Sequence, residues 1–189
     1  MTLNKASSTD DEQLILVNEQ DDEIGVSDKL SVHRQGLLHR AFSVFIFNSE
    51  GKLLLQQRAD TKYHSPGLWT NTCCSHPRPS ELILQACKRR LKEEMGMLCD
   101  PEFSFSFIYK YQFINGLIEH EFDHVFIGIC NEQPVLNEQE VKNWKYVSLD
   151  ELQSGILNHP ENYTPWLKIC LPLLKEQISK SKFKYDIPV

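Results

Sequence analysis

The sequence predicts an α+β fold: mixed or antiparallel sheets sandwiched by helices, in a single domain. Three observations carry this. Apolar, β-branched and aromatic stretches come in pairs around turn residues, which favours hairpins over a purely parallel sheet. One long charged stretch between the strand pairs has a helical start and stop. The chain after Ser148 reads as helices. Its 189 residues, 41% of them hydrophobic, suit one sizeable core.

The elements follow in order. Residues 1–12 are rich in Ser, Thr, Asp and Asn, lack an apolar signal core, and read as a flexible leader to a domain spanning 13–189. Leu14-Ile15-Leu16-Val17 reads as a short strand. Arg40 to Phe47 and Lys52 to Arg58 are strands joined by the turn Asn48-Ser49-Glu50-Gly51. Ser65-Pro66-Gly67 is a break. Pro79-Ser80-Glu81 opens a helix to about Met95, with Ser80 as the expected N-cap and Gly96 as the stop. Phe103 to Phe113 and Leu117 to Cys130 are strands around Asn115-Gly116, a hairpin signal. Trp144 to Val147 is a short strand. Ser148-Leu149-Asp150-Glu151 is a capping box for a helix to about Leu157. Pro165 opens the last helix, where Pro172 is expected to introduce a kink.

Composition narrows function. A net charge of -6 argues against a general nucleic-acid or anionic-membrane binder. No apolar run approaches the ~18 residues of a membrane span. A cytoplasmic protein is expected, and with it reduced cysteines. The six cysteines, 73, 74, 87, 99, 130 and 170, have no zinc-type spacing. Cys74 stands apart, because it sits in Cys73-Cys74-Ser75-His76 and pairs a reactive thiol with a potential metal ligand.

On the long helix, residues three or four apart share a face, so Arg90, Glu93 and Glu94 project together, with Arg89 beside Glu93. Such a face is either a solvated set of salt bridges or a carboxylate for Mg²⁺ beside a cation for phosphate. The segment resembles the Nudix box. Glu81, Arg89, Leu91, Glu93, Glu94 and Gly96 fall in register with it. Ser75 replaces its first Gly, and Arg90 replaces the Glu of its Arg-Glu pair. An Arg there cannot ligate a metal, but it can hold a diphosphate bidentately.

A divergent Nudix box downstream of Trp69-Thr70-Asn71-Thr72-Cys73-Cys74-Ser75-His76-Pro77 resembles the type 1 isopentenyl-diphosphate isomerases. Gly36-Leu37-Leu38-His39-Arg40-Ala41-Phe42-Ser43, Glu119-His120-Glu121 and Thr164-Pro165-Trp166 add to the likeness, which runs from about Leu14 to Leu174. The resemblance implies a Nudix-like fold and a double-bond shift between isopentenyl and dimethylallyl diphosphate. It implies Cys74 and Glu121 as the proton-transfer groups, Tyr109 assisting Glu121, and Trp166 as a π face for a cationic intermediate. Without the resemblance, Trp166 reads as a core anchor. His33, His39, His76, Glu119 and Glu121 would hold one divalent ion of the Mg, Mn or Zn type. Glu94 would hold a Mg²⁺ that bridges to the diphosphate. Lys29, Arg58, Lys62 and Arg90 would contact the diphosphate. The partner is thus a small-molecule diphosphate, with no nucleic acid or membrane, and a monomer is favoured. A Nudix hydrolase of a nucleoside or other diphosphate is the alternative, and a non-catalytic metal- or diphosphate-binding module the third reading.

Strand alternation makes two further demands. Glu119, Glu121 and Asp123 share one face, so His120 and His124 point away from it. His64 and His159 have no motif context and read as surface residues. A two-residue Asn115-Gly116 turn would set Tyr109 opposite Phe122, and so away from Glu121. The role assigned to Tyr109 therefore requires a three- or five-residue loop, or a bulge, within 113–118.

Overall fold

A computed structural model of the protein describes residues 13–180; the expected leader, 1–12, lies outside them. The chain runs β1 (Gln13–Val17), β2 (Glu23–Asp28), α1 (Lys29–Gln35), β3 (His39–Phe47), β4 (Leu53–Arg58), β5 (Trp69–Thr70), β6 (Cys73–Ser75), α2 (Ile83–Met95), β7 (Glu102–Gln112), β8 (Ile118–Ile129), β9 (Val141–Val147), α3 (Leu149–Asn158), a 3₁₀ turn at Pro160–Asn162, and α4 (Pro165–Lys180). None of these helices is long and apolar enough to cross a membrane.

β3 organises the sheet. One edge pairs in parallel with β8 over nine residues, from His39 opposite Glu121 to Phe47 opposite Ile129. The other edge is shared, antiparallel, by β1 at His39, β6 at Phe42 to Val44, and β4 at Phe47. The sheet is mixed, as its hairpins suggested, but local turn signals could not announce the one parallel pair.

Helices cover both faces of β3. Phe42, Val44 and Ile46 pack with Ala86, Cys87, Leu91 and Met95 of α2. Phe45 and Phe47 pack with Leu149 and Leu152 of α3 and Leu167, Leu171 and Leu174 of α4. Burial on both faces explains the apolar run Val44-Phe45-Ile46-Phe47 in the second half of β3. Each of the Val, Leu, Ile, Phe and Met side chains among these packed residues contributes roughly 1.5–3 kcal/mol of burial, so Phe45→Ala would cost about 3–5 kcal/mol.

The β7–β8 hairpin closes through three residues, Ile114-Asn115-Gly116. The Phe113 N–H donates to the Leu117 carbonyl at 2.8 Å, and the Gly116 N–H donates to the Phe113 carbonyl at 3.0 Å. Gly116 adopts φ 85°, the left-handed position that three-residue hairpin loops require. The resulting register sets Tyr109 opposite Glu121.

Other expectations are corrected. α2 starts at Ile83, and Ser80 is not its cap: Ser80 sits at φ 66°, and Leu82 occupies the N-cap without a side-chain bond. Glu81 diverts this segment into a turn, accepting the Arg78 N–H at 2.9 Å and binding Arg89 through both oxygens at 2.7 Å. β2 and α1 carry no strong apolar period, yet Asp28 caps α1 by accepting the Ser31 N–H at 2.9 Å. The cysteines are not all free. Cys99 and Cys130 form a disulfide where the end of β8 meets the loop after α2, 31 residues apart in sequence and 6.1 Å apart at Cα. The capping box at Ser148 forms as expected, and α4 continues through Pro172.

Candidate active site

The two faces of β3 differ at the strand's start. Its odd-numbered residues and those of β8 continue the α4-side core into polar groups: Ser43 with Asp123, then His39 with Glu119 and Glu121. Glu119 and Glu121 border a solvent-open pocket whose empty space is about 520 Å³. Lys29, Lys62, His64, Cys74, Ser75, His76, Arg90, Glu94, Tyr109, Glu119, Glu121 and Trp166 line it. The fold thus brings most of the expected site residues to one cavity. His33 and His39 sit buried behind the lining. Arg58 is outside it, with its guanidinium 5.2 Å from the Trp166 ring centre.

The deep end holds histidines and carboxylates. The Nδ1 atoms of His33 and His39 donate to the carbonyls of Lys29 and Leu37 at 2.7 and 2.9 Å. In the neutral rings this leaves a lone pair on each Nε2. His33 Nε2 lies 3.1 Å from Glu119, His39 Nε2 3.7 Å from Glu121, and His76 Nε2 3.2 Å from Glu121. The His39 Nε2 is buried and has no hydrogen-bond partner among the described residues. One ligand atom each from His33, His39, His76 and Glu119 lies within 4.8 Å of the others. Lone pairs facing carboxylate oxygens repel unless a cation or proton stands between them, so this donor set suits a divalent ion.

Cys74 and Tyr109 flank Glu121. On β6, Cys73 enters the α2 core and Cys74, alternating, faces the pocket. Burial, with nearby Glu94, Glu121 and Asp123 adding to it, pushes the Cys74 thiol up to about 12 against the pull of Arg58, so it carries its proton. Tyr109 donates its hydroxyl to Glu121 at 2.6 Å. Burial and then Glu121 hold the phenol well above its ordinary value. Burial would raise Glu121, but His39 and His76 hold it well below the usual carboxylate range. Trp166 opens α4 and donates its indole N–H to Thr70 at 2.8 Å, so it is both anchored and part of the pocket wall.

The shallow end holds the reversed charge of the box. Arg90 donates to Glu93 at 2.9 Å, Glu94 at 2.6 Å and Glu140 at 3.2 Å. Burial works against its charge, but Glu94 and other neighbours more than offset this and raise its pKa. Glu94 also accepts from Gln56 at 2.8 Å. Lys62 pairs with Glu140.

His64 is not a surface residue. It is 9% exposed, lines the pocket and stands 3.3 Å from Glu119. Burial, with Arg58 close by, lowers its pKa to about 2 and keeps the ring neutral. Its sequence neighbours form no motif, and only the fold of the Ser65-Pro66-Gly67 turn carries it inward. His120 and His124 stay outside the cluster, bonding the carbonyls of Gly36 and Ala41. The side chain of His159 is exposed, as expected. Glu140, in the loop before β9, escaped the sequence reading altogether.

The NUDIX domain family matches residues 37–168. Among curated relatives, the chain is 52% identical over 161 residues to isopentenyl-diphosphate Delta-isomerase 2 of Aromatoleum aromaticum, covering 85% of each chain. It is 51% identical over 158 residues to isopentenyl-diphosphate Delta-isomerase 2 of Photorhabdus laumondii, covering 84% of this chain and 89% of that one. A crystal structure of a Deinococcus radiodurans protein shares the fold with a TM-score of 0.72 at 19% identity, over 88% of this chain and 99% of that one. Identity at about half of the aligned positions, across most of both sequences, goes well beyond a shared architecture: the chain belongs to the isopentenyl-diphosphate Delta-isomerase family of the Nudix superfamily.

Proposed function

We propose that the protein converts isopentenyl diphosphate to dimethylallyl diphosphate by adding a proton at the terminal alkene carbon and removing one from the carbon two bonds away. The observation that carries this is one pocket lined by the Cys74 thiol and by the Glu121 carboxylate, which accepts the Tyr109 hydroxyl; their surroundings push the thiol's pKa up and the carboxylate's down. Two such groups of opposite protonation state are what a proton exchange across an alkene needs. Between the two transfers the substrate resembles a tertiary carbocation, which water would quench. The buried Trp166 ring offers it π electrons and a dry wall.

Binding is divided along the pocket. Lys29, Lys62 and Arg90, which line it, hold the diphosphate, and Arg58, beside Trp166 just outside the lining, adds its charge. His33, His39, His76, Glu119 and Glu121 would hold a divalent ion, and Glu94 a Mg²⁺ shared with the diphosphate. When bound, these ions supply positive charge against the phosphates and the buried carboxylates. Tyr109 keeps its proton and orients Glu121 through their hydrogen bond.

Proton NMR of isopentenyl diphosphate in D₂O with protein and Mg²⁺ tests this, alongside a phosphate-release assay. Dimethylallyl signals carrying deuterium, no released phosphate, and loss of both changes with EDTA are expected. An inert isopentenyl substrate with phosphate released from nucleoside diphosphates would overturn the isomerase in favour of a Nudix hydrolase.

A further inference from the structure

We propose that Glu140 is a positioning residue that stands in for a substrate phosphate: it holds Lys62 and Arg90 together and sets diphosphate affinity by competing for them. This rests on the reading that these two cations take the diphosphate. One carboxylate oxygen of Glu140, Oε2, accepts from both Lys62 Nζ and Arg90 Nη2, the latter at 3.2 Å. A single anionic oxygen bridging two cations is the arrangement a bound phosphate oxygen would make. Glu93 and Glu94 also face Arg90, but of these three carboxylates only Glu140 is also bonded to Lys62.

The backbone keeps this carboxylate in place. The Glu140 carbonyl accepts the Ala59 N–H at 3.0 Å, and the Ala59 carbonyl accepts the Lys62 N–H at 3.2 Å. The turn that carries Lys62 is thus stitched to the residue that neutralises it. The Glu140 side chain is only 23% exposed, so water screens it poorly. Without it, Lys62 and Arg90 would repel each other, and Lys62 has a flexible stem that would swing out. With it, an incoming diphosphate meets a negative charge on the groups it needs.

Glu140→Gln separates these effects, because the amide keeps an accepting oxygen and loses the charge. Inorganic pyrophosphate, titrated calorimetrically into the full chain with Mg²⁺, should bind Glu140→Gln about three- to tenfold more tightly than the parent. The gain should shrink as salt rises. KM for isopentenyl diphosphate should fall with it. Structural damage would weaken binding, so a gain is not mimicked by misfolding. Glu138→Gln, an exposed neighbour, makes the same change in net charge and should leave affinity unchanged. Unchanged or weaker pyrophosphate binding by Glu140→Gln, or an equal gain from Glu138→Gln, would overturn the role of Glu140. If the parent neither binds pyrophosphate nor isomerises isopentenyl diphosphate, the reading of the pocket falls and Glu140 with it. If the parent does both, an unaltered Glu140→Gln sinks this proposal alone.

Discussion

At one end of the pocket, the ring nitrogens of His33, His39 and His76 face Glu119 and Glu121 across 3.1–4.0 Å. At the other, Arg90 and Lys62 are enclosed by Glu93, Glu94 and Glu140. The first end gathers acceptors and is short of positive charge. The second already has its cations paired internally. A ligand therefore fills the first end and exchanges with partners at the second. Affinity at the first should follow donor geometry, whereas at the second it is a difference between two sets of ion pairs, smaller and more sensitive to salt.

Variants can break or sharpen that contrast. Cys74→Ala should lower kcat by about 10²–10⁴-fold while leaving both ends able to bind, as read by steady-state kinetics and by Mn²⁺ and pyrophosphate titrations. Near-normal turnover would remove Cys74 from the chemistry. His39→Ala deletes a ring whose buried Nε2 has no hydrogen-bond partner among the described residues. It should weaken Mn²⁺ binding at the deep end by more than about 100-fold, since even outer-sphere partners are worth 10–100-fold. Equal Mn²⁺ affinity in equilibrium dialysis would place the ion elsewhere. Arg90→Glu turns an attraction into a repulsion beside the diphosphate. It should raise the substrate Kd by about tenfold or more and leave Mn²⁺ binding at the histidines unchanged. A substrate Kd that does not move would mean that the diphosphate lies away from α2.

The sequence made the deep end more legible than the shallow one. His76 lies two residues from Cys74, and Glu119 and Glu121 alternate on one strand, so spacing singled them out, but their roles, like those of His33 and His39, rested on the family resemblance. The facing of Arg90 with Glu93 and Glu94 followed from helical periodicity. Glu140 and His64 come from loops with no period, and only tertiary folding carries them to the pocket. In the fold, hairpins and the capping box at Ser148 were readable because each is a local signal. The parallel pairing of β3 with β8 and the Cys99–Cys130 bond join segments distant in sequence, and nothing local encodes them. Ser80 failed as a cap because the side chains of Glu81 and Arg89 bind each other instead of letting the helix start early.

The three-residue loop at Ile114-Asn115-Gly116 has a genetic consequence. Loss of a single in-frame codon there would leave every proposed acid, base and metal-ligating side chain encoded, yet it would slide β7 past β8 and turn Tyr109 away from Glu121. At this loop, chain length matters as much as the identity of a chemical group. Insertions and deletions between Phe113 and Leu117 should therefore be as damaging as missense changes within the pocket.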